Sequence, residues 1–267
     1  MMYGTLEDLK SLVSIEAAKE NSQLFRTLEM ASRQVDKITH RHFYAFEGAK
    51  YYDGAGSKLW LPDDILSVSS LKLDDGGGTY ATTLATTDYV LYPSNTFPKI
   101  RLEINKYGDH SSFALGIQRG IEITGVFGYA DSATPYESRT TLNGNILAGA
   151  KTIILADGQL VKTGETLRIG AEQMFVQEIV TNTVIVERGV NGTTAAAHTS
   201  GAVVSSYIYP EDIVQATLII AMRAYKRKDS AYQDVIGAPE TGQIITSKGM
   251  DPDVKELLSP YRKQEYA

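Results

Sequence analysis

The broadest apolar pattern in the chain lies between Pro210 and Tyr232, in PEDIVQATLIIAMRAYKRKDSAY. Pro210 suits a first helical position, and the basic run Lys226, Arg227, Lys228 suits the end of a helix dipole. A helix that is apolar all round is normally buried among others. The apolar run of roughly 12 or 13 residues is too short to span a bilayer. The pattern therefore predicts the central core helix of a soluble domain, with apolar residues Ile213, Val214, Leu218, Ile219, Ile220, Ala221, Met222 and Ala224.

Two helices are predicted near the amino end. Thr5 and Asp8 have the spacing of a capping box, and they open a short helix with apolar residues Leu6, Leu9, Leu12 and Val13. A longer helix is predicted over residues 22–39, because its apolar residues step by three and four. That stripe is the expected cover for the 210–232 helix, and it consists of Leu24, Leu28, Ala31, Val35 and Ile38.

From Phe43 the pattern changes to short strand-like runs separated by turn residues. Asp53-Gly54 and the run from Asp74 to Gly78 are turn signals. Antiparallel β structure is predicted over residues 48–130, packed beside the helices. The runs that carry it are KYYDGAGSKLWLP, SVSSLKLDDGGGTY, TDYVLYPSNTFPKIRLEI and GIEITGVFGYA.

Residues 137–206 have a different texture, rich in Thr, Gly and Ala, with Phe175 as the one aromatic residue. Five short strand candidates, KTIIL, TLRI, EQMFVQEI, TVIVER and AVVSSYI, indicate a small barrel or sandwich. The core helix follows directly, so this β module is predicted to be inserted at the exposed loop GVFGYADSATPY and to lie at the periphery.

The carboxyl end continues with a loop or short hairpin over 237–249. Asp251-Pro252 is a capping signal for a last helix over 253–258. The predicted fold class is α+β: a core of three to four helices with an antiparallel β region, plus an inserted all-β barrel or sandwich. The predicted domains are an amino-terminal core part (1–136), the inserted module (137–206) and a carboxy-terminal core part (207–267).

Composition narrows the range of possible functions. The 267 residues carry a net charge of −6, which gives no basic footprint for nucleic acid and no polybasic membrane anchor. The absence of cysteine from the sequence excludes a disulfide framework, a thiolate metal site and a Cys nucleophile. The amino end lacks the plan of a signal peptide. A globular protein is therefore expected, and nothing indicates secretion.

Candidate chemical sites favour structural interpretations. His40 and His42 flank Arg41, but an i, i+2 spacing on a helix points two ligands apart, so cations at a helix end are expected instead. The Asp74–Gly78 run lacks the ligand pattern of a calcium loop and the Lys of a phosphate loop, which leaves a hairpin turn. Asn191-Gly192-Thr193 fits a turn between strands.

The carboxylate pairs Asp63-Asp64 and Glu211-Asp212 are expected at turns or helix starts, where capping explains them. No catalytic, metal or cofactor residue is therefore assigned, and no enzyme is expected. The dense basic runs are 226–228 and Arg262-Lys263. DNA contact is one interpretation of them; dipole complementation and salt bridges to a neighbouring subunit are the other.

The ordered succession of several strings resembles the head–tail connector (adaptor) proteins of long-tailed bacteriophages. The strings are YGTLEDLKSLVSI, LEMASRQVDKITHRHF, YYDGAGSKLWLPDDILSVSSLKLDDG, TDYVLYPSNTFPKIRLEI, ITGVFGYA, PEDIVQATLIIAMRAYKRKDSAY and MDPDVKELLSPYR. The inserted segment resembles small β modules of phage structural proteins, in LRIGAEQMFVQEI and VERGVNGTTAAAHTSGA. Many adaptors lack such a module.

The resemblance implies a ring, usually of twelve subunits, in the neck of the virion, assembled in the host cytoplasm. It implies that the portal protein binds the carboxy-terminal part and that a stopper or tail-completion protein binds the opposite side. DNA would pass through the channel without sequence-specific binding, with no membrane partner and no cofactor. The expected portal-docking residues are Pro260, Tyr261, Arg262, Lys263 and Tyr266.

Two alternatives are kept. The nearer one is another neck component, a stopper or tail-completion protein. The more distant one is a carbohydrate-binding or hydrolytic accessory protein, with the β module as sugar binder. That second alternative is weakened because the module has almost no aromatic platform for stacking on sugars.

Overall fold

The computed structural model describes residues 1–15, 18–54, 56–113, 116–227, 235–237, 244–246 and 249–263. Four helices are present in these ranges: α1 (Leu6–Val13), α2 (Asn21–Thr39), α3 (Glu211–Lys226) and α4 (Pro252–Leu258). The first seven strands are β1 (Phe46–Tyr52), β2 (Lys58–Leu73), β3 (Thr82–Leu84), β4 (Tyr89–Tyr92), β5 (Lys99–Ile104), β6 (Ile121–Phe127) and β7 (Tyr136–Thr141). The others are β8 (Thr152–Ile154), β9 (Thr166–Ile169), β10 (Glu172–Val180), β11 (Thr183–Arg188), β12 (Val203–Tyr207), β13 (Val235–Gly237) and β14 (Ile244–Thr246).

The helices share one buried interior in which α2 packs against α3. The predicted stripe of α2 supplies four fully buried side chains, Leu24, Leu28, Ala31 and Val35, and Ile38 packs at its margin. From α3, Ile213, Ala216 and Ala221 are also fully buried. The predicted long-range contact between the two helices is therefore confirmed, and so is the α+β fold class.

Helix ends follow the predicted capping chemistry at two places. Thr5 accepts a hydrogen bond from the main-chain N–H of Asp8, and Asp251 accepts one from that of Asp253. α3 differs from expectation, because Pro210 is its N-cap residue and the helix ends at Lys226. Residues 228–232 of the predicted helix lie outside the described ranges. Leu12 of α1 also differs, because it is 44% exposed where it was expected to be buried.

The first sheet has the strand order β1-β6-β2-β5-β4, with β3 paired to β2, and every pairing is antiparallel. This confirms the predicted β region. The 16-residue strand β2 pairs with β5 through its first half and with β6 through its second half, and its register shifts at three places. Asp53-Gly54 does not close a hairpin, because β6 lies between β1 and β2.

The second sheet has the order β7-β12-β9-β10-β11-β8 and is also antiparallel. All five predicted strands are present, and β7 is an addition. Gly170-Ala171 and Thr181-Asn182 form two-residue turns between strands, with Gly170 and Thr181 at positive φ. The outer strands approach at one bridge, between Leu142 and Leu155. A separate apolar cluster fills the interior of this module.

The second sheet packs directly on the helical core. Phe175 and Val190 belong to the same buried cluster as the helices, and the Phe175 ring meets that of Phe25 edge-on at 5.9 Å. The main-chain N–H of Leu6 donates to the carbonyl of Thr163 at 3.0 Å. The connection at 131–134 is exposed, as predicted, and the module that it opens packs on the helical core. The peripheral placement of the module in an assembly stays a prediction.

No helix in the described part of the chain combines the length and apolarity that a membrane crossing requires.

Candidate interaction surfaces

The carboxy-terminal segment expected to dock on the portal is anchored within its own chain. The Tyr261 ring packs against the rings of Phe43 and Tyr129 at centroid distances of 5.9 and 5.3 Å. Arg41 Nε donates to the Tyr261 carbonyl at 2.7 Å, and the Lys263 N–H donates to the carbonyl of Thr39 at 2.8 Å. Two of the five predicted interface residues are thus engaged in the fold.

The side chain of Lys263 continues this anchor. Its Nζ donates to the carbonyl of Pro62 at 2.7 Å and lies 3.2 Å from the carboxylate of Asp64. Burial lowers the pKa of Lys263, although Asp64 opposes the shift. Burial and the neighbouring Asp212 raise the pKa of Tyr261 to about 12. Tyr261 therefore stays uncharged near neutral pH.

The other predicted interface residues differ in accessibility. Pro260 and Arg262 are exposed, and they leave a free face on the anchored segment. Tyr266 lies outside the described residues. The basic residues Lys226 and Arg227 are exposed at the end of α3, well separated in sequence from the carboxy-terminal segment, and Lys228 lies outside the described residues. Their roles stay predictions.

The carboxylates Asp63 and Asp64 were expected in a turn, and that prediction is wrong. Both lie inside β2, where the register with β5 shifts between Trp60 and Ile65. Asp64 is buried and accepts a 2.6 Å hydrogen bond from Arg41 in addition to the contact with Lys263. Asp63 accepts from Lys50 at 2.5 Å and from the Tyr52 hydroxyl at 3.0 Å. Asp63 and Asp64 therefore connect this irregular part of β2 to the basic side chains of Arg41, Lys50 and Lys263.

The remaining candidate site residues, His40, His42 and Asp74, have structural roles. His40 is the left-handed C-cap of α2, and His42 Nδ1 lies 3.6 Å from Asp36. Asp74 is buried in the hairpin loop between β2 and β3, where its carboxylate accepts from the N–H of Gly78 at 2.8 Å. Within the described ranges, no three His, Asp or Glu side chains converge as a metal-binding group.

A buried carboxylate organises the module residues that carry the resemblance. Glu172 is 1% exposed and accepts hydrogen bonds from Arg188, His198, and the N–H groups of Gly189 and Ala196. Burial alone would raise the pKa of Glu172, but these hydrogen bonds, that from Arg188 foremost, lower it below its ordinary value. The cluster fixes the 189–198 loop.

That loop is the junction with the first sheet. The Glu47 N–H donates to the Asn191 carbonyl at 2.8 Å. Nearby, Gln173 Nε2 donates to the Ala45 carbonyl at 2.9 Å. Asn191-Gly192-Thr193 is the predicted turn, and it makes the contact between module and core.

A cleft of about 530 Å³ lies at the start of α3, between α1 and the second sheet. Sequence reasoning did not predict it, because its walls come from four separate stretches of the chain. Its charged lining residues are Asp8, Arg139, Lys162, Glu165 and Glu211. Of these, Asp8 and Lys162 form an ion pair at 2.7 Å. The mixed lining suits a polar partner better than an apolar one.

A ladder of interface-type side chains, with Trp60 exposed and Arg101 and Tyr92 half-buried, was also not predicted. Trp60, Arg101 and Tyr92 are direct register partners on three adjacent strands. The Arg101 guanidinium lies 4.8 Å from the Trp60 ring and 4.7 Å from the Tyr92 ring. Trp, Arg and Tyr are the residue types enriched at energetically important contacts. The alternation of apolar residues, Leu59 and Leu61 in β2 and Leu102 and Ile104 in β5, is the sequence signal that could have indicated this face.

Comparison with protein-family models and with curated proteins finds no match. A solved structure described as the neck of an empty GTA particle, computed with C6 symmetry, aligns with 98% of this chain and 90% of that chain. The identity is 14% and the TM-score is 0.45.

Proposed function

We propose that this chain is a structural, non-enzymatic subunit of the neck of a tailed phage particle. In this role it is an adaptor: a ring, of twelve copies, lies beneath the portal, joins the capsid to the tail or stopper, and continues the DNA channel. The observation that carries the proposal is where the adaptor-like strings lie in the fold. The four helical strings correspond to α1, α2, α3 and α4 and contribute to one shared interior.

Charge supports the same role. The net charge of −6 suits a channel through which DNA has to slide, since phosphate contacts from Lys and Arg would hold it. The exposed residues of the anchored carboxy-terminal segment, Pro260 and Arg262, support docking of that end. The chain then acts through contacts rather than through a reaction centre.

Native mass measurement of the purified chain, alone and mixed with the portal ring, tests the proposal. The expected product is a portal complex with a fixed number of copies of this chain. A chain that binds an assembled neck but not the isolated portal would instead be a stopper or tail-completion protein. Binding to a glycan array, without portal binding, would favour the carbohydrate-binding alternative.

Point variants locate the docking surface without disturbing the fold. Arg262→Glu and Tyr266→Ala are expected to weaken portal binding, because the first residue is exposed and the second follows the anchor. Lys255→Glu makes a comparable charge change at an exposed position of α4 and serves as the control. Equal portal affinity for all three variants would contradict docking through this segment.

A further inference from the structure

Helix α3 has opposite charges at its two ends. It begins with Glu211 and Asp212, and its last turn carries Arg223 and Lys226, followed by Arg227. A 16-residue helix is about 24 Å long, so these ends cannot meet within one chain. They can meet between two copies.

The cleft at the start of α3 has an excess of negative charge. Lys162 pairs with Asp8 at 2.7 Å and Arg139 pairs with Glu137 at 3.1 Å, so both lining cations are in ion pairs, and Glu165 and Glu211 give the cleft its negative charge. Charge complementarity therefore favours a basic occupant.

Two buried polar atoms of the cleft residues have no hydrogen-bond partner: Glu165 Oε2, an acceptor, and Arg139 Nε, a donor. Buried polar atoms are normally paired, so an unpaired donor and acceptor in one cleft point to a partner that brings both. Burial raises the pKa of Glu165, although hydrogen bonds with the Lys162 backbone and the Ser206 side chain, and the charges of Arg139 and Lys162, oppose the shift.

The carboxyl end of a basic helix supplies both kinds of group. Its Lys and Arg side chains donate to carboxylates, and its last carbonyls, which lack intrahelical partners, accept from a guanidinium. Its negative dipole end would also approach the positive end of the α3 it meets. Two exposed apolar residues also line the cleft, Leu12 at 44% and Ile208 at 38% exposed, and they suit the aliphatic stems of Lys and Arg.

We infer that this cleft binds the basic end of α3, Lys226 and Arg227, from a second copy of this chain. Copies then associate head to tail, with successive α3 helices pointing the same way. The inference rests on the proposed function, because a head-to-tail contact closes into a ring only at a suitable rotation. It adds the surfaces through which the ring forms.

A charge-swap experiment tests the pairing. Glu211→Lys and Lys226→Glu are each expected to weaken self-association roughly tenfold or more, measured by sedimentation at matched concentrations. The double variant restores association, because every contact then regains opposite charges. Glu178→Lys, at an exposed position of β10, is the matched control and leaves association unchanged. Circular dichroism verifies that each variant is folded.

Cysteine cross-linking gives an independent readout, because the natural chain contains no cysteine. Gln215→Cys places a thiol in the cleft lining and Lys226→Cys places one at the basic end. The two positions are roughly 17 Å apart along one helix, beyond the ~7 Å reach of a disulfide, so oxidation can only join different chains. The double variant is expected to give a ladder of covalent oligomers, and a mixture of the single variants only dimers.

The outcomes separate this inference from the proposed function. Rings that form normally in both charge variants and give no 215–226 cross-link overturn the head-to-tail contact and leave the adaptor role standing. A chain that stays monomeric at all concentrations and in the presence of portal overturns both. Disulfide dimers from Gln215→Cys alone would indicate a two-fold contact at the cleft and would also overturn the inference.

Discussion

The main-chain N–H of Glu47 in β1 donates a 2.8 Å hydrogen bond to the carbonyl of Asn191 in the second sheet. The next residue, Gly192, has φ of +85°, and a Cβ added there would lie 1.9 Å from the Glu47 carbonyl oxygen. The backbones of the two sheets are thus in direct contact. This junction allows glycine alone.

Gly192→Ala is expected to lower the free energy of unfolding by about 3 kcal/mol or more, because left-handed strain and overpacking add. Gly201→Ala is the matched control, since Gly201 has φ of +84° and nothing within 4 Å of an added Cβ. It should cost only about 1 kcal/mol of strain. Denaturant unfolding measures both. Equal losses of unfolding free energy in the two variants would show that the backbones at the junction can move apart.

Glu172→Gln should destabilise the protein by about 3–5 kcal/mol, because Arg188 keeps a buried charge that loses its carboxylate partner. The Glu172 carboxylate accepts from Arg188 Nε at 2.6 Å and from His198 Nε2 at 2.8 Å, so one amide cannot replace it. Glu178→Gln, exposed on the same strand, is the control and should leave stability unchanged. Calorimetry of both variants checks this.

Acidification should abolish the stabilisation that the Glu172 carboxylate provides. The folded-state pKa of Glu172 lies below its ordinary value of 4.5, so its stabilisation is complete above that value and is lost as pH falls through the lowered pKa. The stability difference between natural protein and Glu172→Gln should shrink as the pH falls below about 4.5. A difference that stays undiminished at lower pH would contradict the assignment.

Phe175→Ala tests whether the module is integral to the helical core. The ring is 7% exposed and packs on Phe25 of α2, so its loss should cost about 3–5 kcal/mol of unfolding free energy. Val180→Ala, on the same strand but 56% exposed, should cost little. A single unfolding transition shifted as a whole is the expected signature. If two unfolding transitions were seen and only one of them shifted, the module and the core would unfold separately.

Truncation should separate the contribution of the anchored carboxy-terminal segment to stability from that of the residues that follow it. Removing residues 264–267 is expected to leave the unfolding transition unchanged, because Tyr261 and Lys263 keep their contacts. Removing 260–267 should lower stability by about 2 kcal/mol or more, since an aromatic packing contact is lost and buried Asp64 loses a cationic partner. Thermal unfolding of both chains measures the difference. Equal transitions would show that the anchor contributes nothing.

The sequence predicted those parts of the fold that a local period specifies. The α2 stripe from Leu24 to Val35 and the five module strands follow from spacings of 3.6 and 2. Asp63 and Asp64 were misplaced because Pro-Asp-Asp is typical of a turn, whereas here basic residues from distant segments compensate the carboxylates inside a bent strand. The inward side of β10 was also beyond local reasoning, because Glu172 is buried only through Arg188 and His198.

The separation of α2 and α3 in sequence affects how the chain is made. In synthesis from the amino end, both large sheets are complete before Glu211 is added, while the apolar side of α2 still lacks its main cover. A nascent or prematurely terminated polypeptide therefore leaves Leu24, Leu28 and Val35 open to aggregation or to chaperones. Only translation through α3, which ends at Lys226, closes that surface, so completion of this helix determines which products remain in solution.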